Sequence, residues 1–214
     1  MARTYTLKQR AARRDDVRRR IVDAAVVLKQ TRRSGEISMA EVAEQAGVGR
    51  VTVYRHFRDL DALKQASSQR YFAQNPPPDP SRWAAIANPH ERLRAGLAEA
   101  HAYHRQTERM IPKIQADGAE AQVRDPYKRL WKAGGGVLAA PFGLTGEAAL
   151  RLRAAIDLGL TFEAWRLLVH EQGLNDDQAL DLVLRLCFAA AAAADAAPAY
   201  SPVSLNGWAN SSAA

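Results

Sequence analysis

The segment SMAEVAEQAGVGRVTVYRHF, from Ser38 to Phe57, constrains the fold more than any other, because it spells two short helices joined at a glycine. Ser38 is a favourable N-cap and Glu41 completes a capping box with it, so a helix is expected to start near Met39. Val42, Ala43 and Ala46 give that helix one apolar side. Gly47 accepts the positive φ of a helix C-terminus, and Val48 follows as an apolar plug between the two helices. A second helix, roughly Arg50 to Arg55, turns Val53 and Phe57 toward the core. That leaves Arg50, Val51, Thr52, Tyr54, Arg55 and His56 for another surface. Their cations and hydrogen-bonding groups suit the major groove of DNA.

At these residues the chain resembles the TetR family of bacterial transcriptional regulators. The family pattern of alanine, then AGV, then TVY and HF, appears here as Ala43, Ala46, Gly47, Val48, Thr52, Val53, Tyr54, His56 and Phe57. Leu63 follows, Ala24 and Ala25 precede it, and the likeness runs from about Asp15 to Tyr71. It implies an all-α fold: an N-terminal three-helix helix-turn-helix DNA-binding domain and a C-terminal helical bundle for ligand binding and dimerisation. It also implies a homodimer joined through the last two helices. Two positions depart from the pattern. Gly49 stands where Ser or Thr is common, and Leu60 replaces a Lys that touches phosphate; Arg58 or Lys64 are the candidates to take over that contact. Asp59, read as the N-cap, and Asp61 make this helix end a poorer anion site.

Charge is distributed in agreement with a nucleic-acid partner. Of the formal net charge of +7, residues 1–75 carry 16 Lys/Arg against 8 Asp/Glu, whereas residues 76–214 carry 14 against 15. Phosphate attraction requires such an excess on the reading segment. No long apolar span or signal-peptide pattern points to a membrane. With one cysteine, Cys187, no intramolecular disulfide can form, and LRLCFAA reads as a setting for a small buried hydrophobe. These features place the expected site of action in the cytoplasm.

Punctuation divides the chain. Residues 1–14 read as a basic flexible arm, rich in Arg and Lys and without acids. The DNA-binding domain is expected over 15–74, its first helix running from Asp15 or Asp16 to about Arg32 on Val17, Ile21, Ala24, Ala25 and Leu28. Its last helix spans Asp59 to about Gln74. A proline-rich linker occupies 75–88. The effector-binding and dimerisation domain covers 89–197, with helices at about His90–Arg109, Ala119–Lys132 with continuation to Ala140, Thr145–Glu171 and Asn175–Ala194. Gly134, Gly135, Gly136 and Pro141 are expected to break or kink the second of these. The two last helices carry apolar residues on more than one side, which calls for a partner surface. A flexible tail is expected over 198–214.

Catalytic chemistry finds little support. His101, His104 and Glu108 lie at helical spacing and form at most a partial metal set, so no metal is assigned. No nucleophile elbow, P-loop or dinucleotide fingerprint is present, and neither an enzyme nor a cofactor is expected. Tyr103, His104, Trp131, Phe162 and Trp165 are the candidates to line an apolar effector cavity. The reading is a homodimeric repressor on an inverted-repeat operator in double-stranded DNA, released by a small hydrophobic or aromatic effector. DNA contacts are assigned to Ser38, Arg50, Val51, Thr52, Tyr54, Arg55 and His56. The alternative is a cytoplasmic helical small-molecule-binding protein without operator function.

Overall fold

The structure is a computed structural model describing residues 2–32, 36–116 and 121–192, apart from the side chains of 2–7, 116 and 121–126. Its helices, in chain order, are α1 (Ala2–Thr31), α2 (Met39–Ala46), α3 (Arg50–His56), α4 (Leu60–Gln74), α5 (Pro80–Ala84), α6 (Pro89–Thr107), α7 (Ile111–Ala116), α8 (Ala121–Ala139), α9 (Gly146–Gly159), α10 (Phe162–Arg166) and α11 (Asp176–Ala192). A 3-10 turn at Ala140–Phe142 follows α8 and a π-type turn at Leu167–Glu171 follows α10. Among the described residues there is no strand.

Helices α1 to α4 close over one small core. Ile21 and Ala25 of α1, Val42 of α2, Val53 of α3 and Leu63 of α4 are fully enclosed there. Local chemistry sets the boundaries. The Ser38 hydroxyl accepts from the Glu41 N–H at 3.2 Å while the Glu41 carboxylate accepts from the Ser38 N–H at 2.8 Å, the reciprocal box expected from the sequence. Gly47 turns the chain at φ +63, and Val48 N–H closes on the Ala43 carbonyl at 2.9 Å. Asp59 caps α4 by accepting from the Ala62 N–H at 2.8 Å. Arg20 ties α1 to the end of α2, donating to the Ala46 carbonyl at 2.7 Å.

Helix α1 differs from expectation at its start. Its backbone is helical from Ala2, so the stretch read as an arm continues the helix whose buried stripe begins near Val17. Once that packed segment nucleates the helix, adding residues such as Ala, Leu, Lys, Gln and Arg costs little. The segment 75–88 also holds more than a linker. Asp79 accepts from the Ser81 N–H at 2.9 Å, Pro80 begins α5, and Trp83 is driven into the C-terminal core at 1% exposure. The tail beyond 192 lies outside the described residues.

The C-terminal core joins Leu93 and Leu97 of α6, Leu138 of α8, Leu152 and Ile156 of α9, and Val183 and Cys187 of α11. Burial pushes the Cys187 thiol up to about 11, so it behaves as the small hydrophobe the sequence suggested. The expected break at Gly134–Gly136 does not occur: all three glycines lie within α8. Gly134 is there for close approach, since a methyl group on it would meet Trp83 Cζ3 at 2.9 Å. Pro141 falls in the following 3-10 turn, where its missing N–H breaks no helical ladder.

The helix expected over Thr145–Glu171 is interrupted at Leu160 and Thr161. Thr161 caps α10, accepting from the Ala164 N–H at 3.2 Å. The carbonyls freed at the break face two buried imidazoles: His101 Nε2–H donates to Gly159 O at 3.2 Å and His104 Nε2–H to Leu160 O at 3.1 Å. Apolar periodicity runs through Leu152, Ile156, Leu160 and Trp165, so the sequence conceals a break whose donors come from α6.

Two outcomes follow from this packing. Gly134→Ala should destabilise the chain by about 1–3 kcal/mol in urea unfolding, the overpacking against Trp83 outweighing the gain in helix propensity. Gly136→Ala, whose methyl would meet only the movable end of Arg153 at 3.2 Å, should be neutral or stabilising. Burial holds His104 neutral, its pKa pushed down to about 4. An unfolded chain takes up this proton near pH 6.5, so the contribution is whole above that pH and drains as pH falls toward 4, on the order of 3 kcal/mol in total. Urea midpoints across this range should fall more steeply for the native chain than for His104→Gln, whose amide can still donate without titrating.

Candidate nucleic-acid interface and apolar cavity

Helix α3 is anchored by one side and bare on the other. Val53 is fully buried, while Val51 and Tyr54 stand 67% and 56% exposed. Arg50 and Arg55 are exposed as well, and Thr52 and His56 are half-buried at the margin of the same face. Two large apolar groups left in water beside two guanidinium groups form a surface that gains from covering. Ser38 is also exposed, but its hydroxyl is engaged with Glu41, to whose carboxylate it donates at 2.7 Å.

The basic edge continues onto α1. The Arg18 guanidinium lies 4.8 Å over the Phe57 ring, and Arg14 and Arg18 both act on His56. Burial first, and then these two cations, hold the His56 imidazole below its usual range. Of the two residues considered for the phosphate contact missing at Leu60, Lys64 is turned inward and pairs with Glu36 at 3.0 Å. Its ammonium is consumed within the domain. Arg58 remains exposed, paired with its neighbour Asp59 at 2.6 Å.

A second feature lies where α4, α7, α8 and α10 meet. An apolar cavity of about 350 Å³ is walled by Phe72, Ile111, Ile114, Tyr127, Trp131 and Phe162. Lys128, Lys132, Asp157 and Glu163 stand among its lining, the two carboxylates engaged by Arg153 and Gln115 respectively. The volume is at the small end of the ~300–1,000 Å³ typical of ligand pockets.

The five aromatic and polar residues singled out from the sequence do converge. The His104 ring lies 5.3 Å from that of Trp131, 5.7 Å from Phe162 and 6.0 Å from Trp165, and Tyr103 and Trp131 are 6.0 Å apart. Only Trp131 and Phe162 reach the cavity wall; Tyr103, His104 and Trp165 pack behind it. Trp165 is held by donating to Asp176 at 3.1 Å beneath the Arg105 guanidinium, which itself grips Asp176 by two bonds of 3.0 Å. Although burial draws the Asp176 carboxyl upward, the hydrogen bonds from Arg105 and Trp165 hold it below the usual range. Sequence reasoning missed Phe72, Ile111, Ile114 and Tyr127. They come from three helices distant in sequence, so no local pattern marked them as neighbours.

His101, His104 and Glu108 do not point at one another. The imidazoles serve the carbonyls of Gly159 and Leu160, and Glu108 accepts from Arg105 at 3.3 Å and from His170 at 3.0 Å. Among the described residues no group of His, Cys, Asp or Glu is arranged to hold a metal ion, and no helix is long and apolar enough to cross a membrane.

Residues 21–66, from the buried stripe of α1 into α4, match the family model described as bacterial regulatory proteins, tetR family. The whole fold is similar to the crystal structure of a tetR-family transcriptional regulator from Streptomyces coelicolor, with a TM-score of 0.54 and 19% identity over 82% of this chain and 81% of that one. It is likewise similar to a TetR-like transcriptional regulator from Rhodococcus sp. RHA1, with a TM-score of 0.52 and 21% identity over 82% of this chain and 96% of that one. Over residues 21–66 this chain is therefore similar to the tetR family of bacterial regulatory proteins, and its fold is similar to that of these two regulators.

Proposed function

We propose that this regulator is a homodimeric repressor that lays α3 in the major groove of an inverted-repeat operator and leaves it when a small apolar or aromatic molecule fills the cavity. The observation that carries the reading is α3 itself, with Val53 locked in the core and Arg50, Val51, Tyr54 and Arg55 presented together on its bare side. Arg50, at the first turn, suits a bidentate contact to a base edge, while Tyr54 and His56 suit phosphates. Thr52 completes this surface. The charge excess of residues 1–75 supplies the sequence-independent attraction.

The dimer is supported by two outward apolar stripes. Leu150 and Leu158 of α9 are 71% and 57% exposed, and Leu182 and Leu186 of α11 are 38% and 48% exposed, one turn apart and away from the helix's buried side. A second copy related by a dyad would cover both stripes and set two α3 helices on successive turns of DNA. On this reading the chain acts by binding rather than by catalysis. The cavity, with Trp131 and Phe162 among its walls, is the effector site.

Selection from a random duplex pool should enrich a palindromic sequence, and affinity for it should fall steeply with salt; a zero salt slope, or no enriched sequence, would leave a ligand-binding protein without an operator. Arg50→Ala should weaken that binding by about 1–3 kcal/mol and relax preference at one base position. Charge on the outward stripe should separate the protomers: the double variant Leu182→Glu, Leu186→Glu is expected to sediment as a folded monomer at micromolar concentration where the native chain is a dimer.

A further inference from the structure

A six-residue helix, α7, stands between the cavity and the DNA-binding half. Ile111 and Ile114 line the cavity. Ile114, with Met110 just before α7, also belongs to one buried cluster with Val26 of α1 and Tyr71 of α4. One side chain therefore belongs both to the cavity wall and to the cluster shared with the reading domain. On the same helix, Lys113 donates to the Arg32 carbonyl at 2.5 Å and to the Lys29 carbonyl. These carbonyls lie at the C-terminal end of α1, where a helix leaves its last acceptors without internal donors and where its dipole favours a cation. Their donor is brought from 81 and 84 positions along the chain.

The stretch of α1 just before this end holds the reader. Ile21 and Ala25 lie in the core that holds Val53, Arg20 binds the last carbonyl of α2, and Arg18 covers Phe57 at the end of α3. A shift of α1 relative to the C-terminal core therefore carries α3 with it.

We infer that Lys113 is a latch: its two bonds hold α1 in register with the cavity wall while the cavity is empty, and an occupant that displaces Ile111 and Ile114 withdraws the ammonium and frees the last turn of α1. This rests on the cavity being the effector site. The occupant's differential affinity for the unlatched form then lowers DNA affinity by linkage. The reverse holds too: removing the latch strengthens binding in the cavity and weakens binding to DNA.

The full-length chain can be tested without knowing the natural effector. Backbone hydrogen exchange would be followed in residues 26–32 for the native chain, Lys113→Met, Phe162→Trp, which enlarges a side chain of the cavity wall that shares a cluster with Ile111, and the native chain with 2-naphthol. Lys113→Met should speed exchange in that segment about tenfold, and Phe162→Trp or bound 2-naphthol should do the same in the native chain. In the Lys113→Met background neither should add more than about twofold, because the shared step has already occurred. The inference fails if Lys113→Met leaves the segment unchanged, or if Phe162→Trp in the native chain does so. It also fails if bound 2-naphthol leaves the segment unchanged or the effects add in full. Phe162→Trp decides the matter if 2-naphthol does not bind, and bound 2-naphthol decides it if that variant does not fold. Binding to the pool-selected duplex is read separately: coupled exchange with unchanged DNA affinity overturns the effector reading and leaves the latch intact, whereas ligand-dependent DNA release with no change in residues 26–32 overturns the latch alone.

Discussion

The burial of α1 against two different sets of partners is the constraint on which the rest of the molecule depends. Toward its middle, Ile21 and Ala25 are enclosed with Val42, Val53 and Leu63, and this packing gives two very short helices a fixed orientation. Helices of eight and seven residues such as α2 and α3 have little stability of their own. On another side of the same stretch, Val26 joins Tyr71, Met110 and Ile114, so the same helix is gripped by the C-terminal half. A helix shared by two clusters couples a displacement in one to the packing of the other. That property does not reside in any one motif.

The C-terminal half solves a different problem, which is how to leave space inside an otherwise close-packed core. Large planar rings at Tyr127, Trp131 and Phe162 meet aliphatic groups at Ile111 and Ile114 without interdigitating fully. Movement of these rings into the gap is resisted by the layer behind. Trp165 is pinned through Asp176 to Arg105, and His104 is pinned through its bond to the Leu160 carbonyl. The interruption between α9 and α10 is part of this support. It turns Phe162 and Trp165 toward the cluster, and its exposed carbonyls would carry a heavy desolvation cost without the imidazoles of α6.

Much of the reading domain was legible because its signals are local. Ser38 and Glu41 form their box within four residues, Gly47 takes its positive φ at the turn, and Asp59 caps the next helix. Periodicity alone separated Val53 from Arg50, Tyr54 and Arg55. Beyond Pro76 the local signals were less reliable. Gly134, Gly135 and Gly136 looked like a break and are helix, because close packing on α5 and α9 can require glycine as firmly as a turn does. A pattern of apolar residues through Leu160 looked like continuous helix and is broken, since the compensating donors stand more than fifty positions earlier. The five residues expected to line an effector cavity lie together, but a list of residue types could not say which would face space and which would face each other.

By itself, the sequence determined the all-helical class, the helix-turn-helix and the charge asymmetry, because capping, glycine conformation and formal charge depend on a residue and its near neighbours. Only the tertiary structure decided that Lys64 is buried against Glu36, that Trp83 plugs a core from within a proline-rich stretch, and that Ile111, Ile114 and Phe72 enclose a cavity. It also decided that Lys113 reaches the end of α1. Each of these is a contact between elements far apart in the chain, settled by which surfaces remain to be covered once every helix has formed.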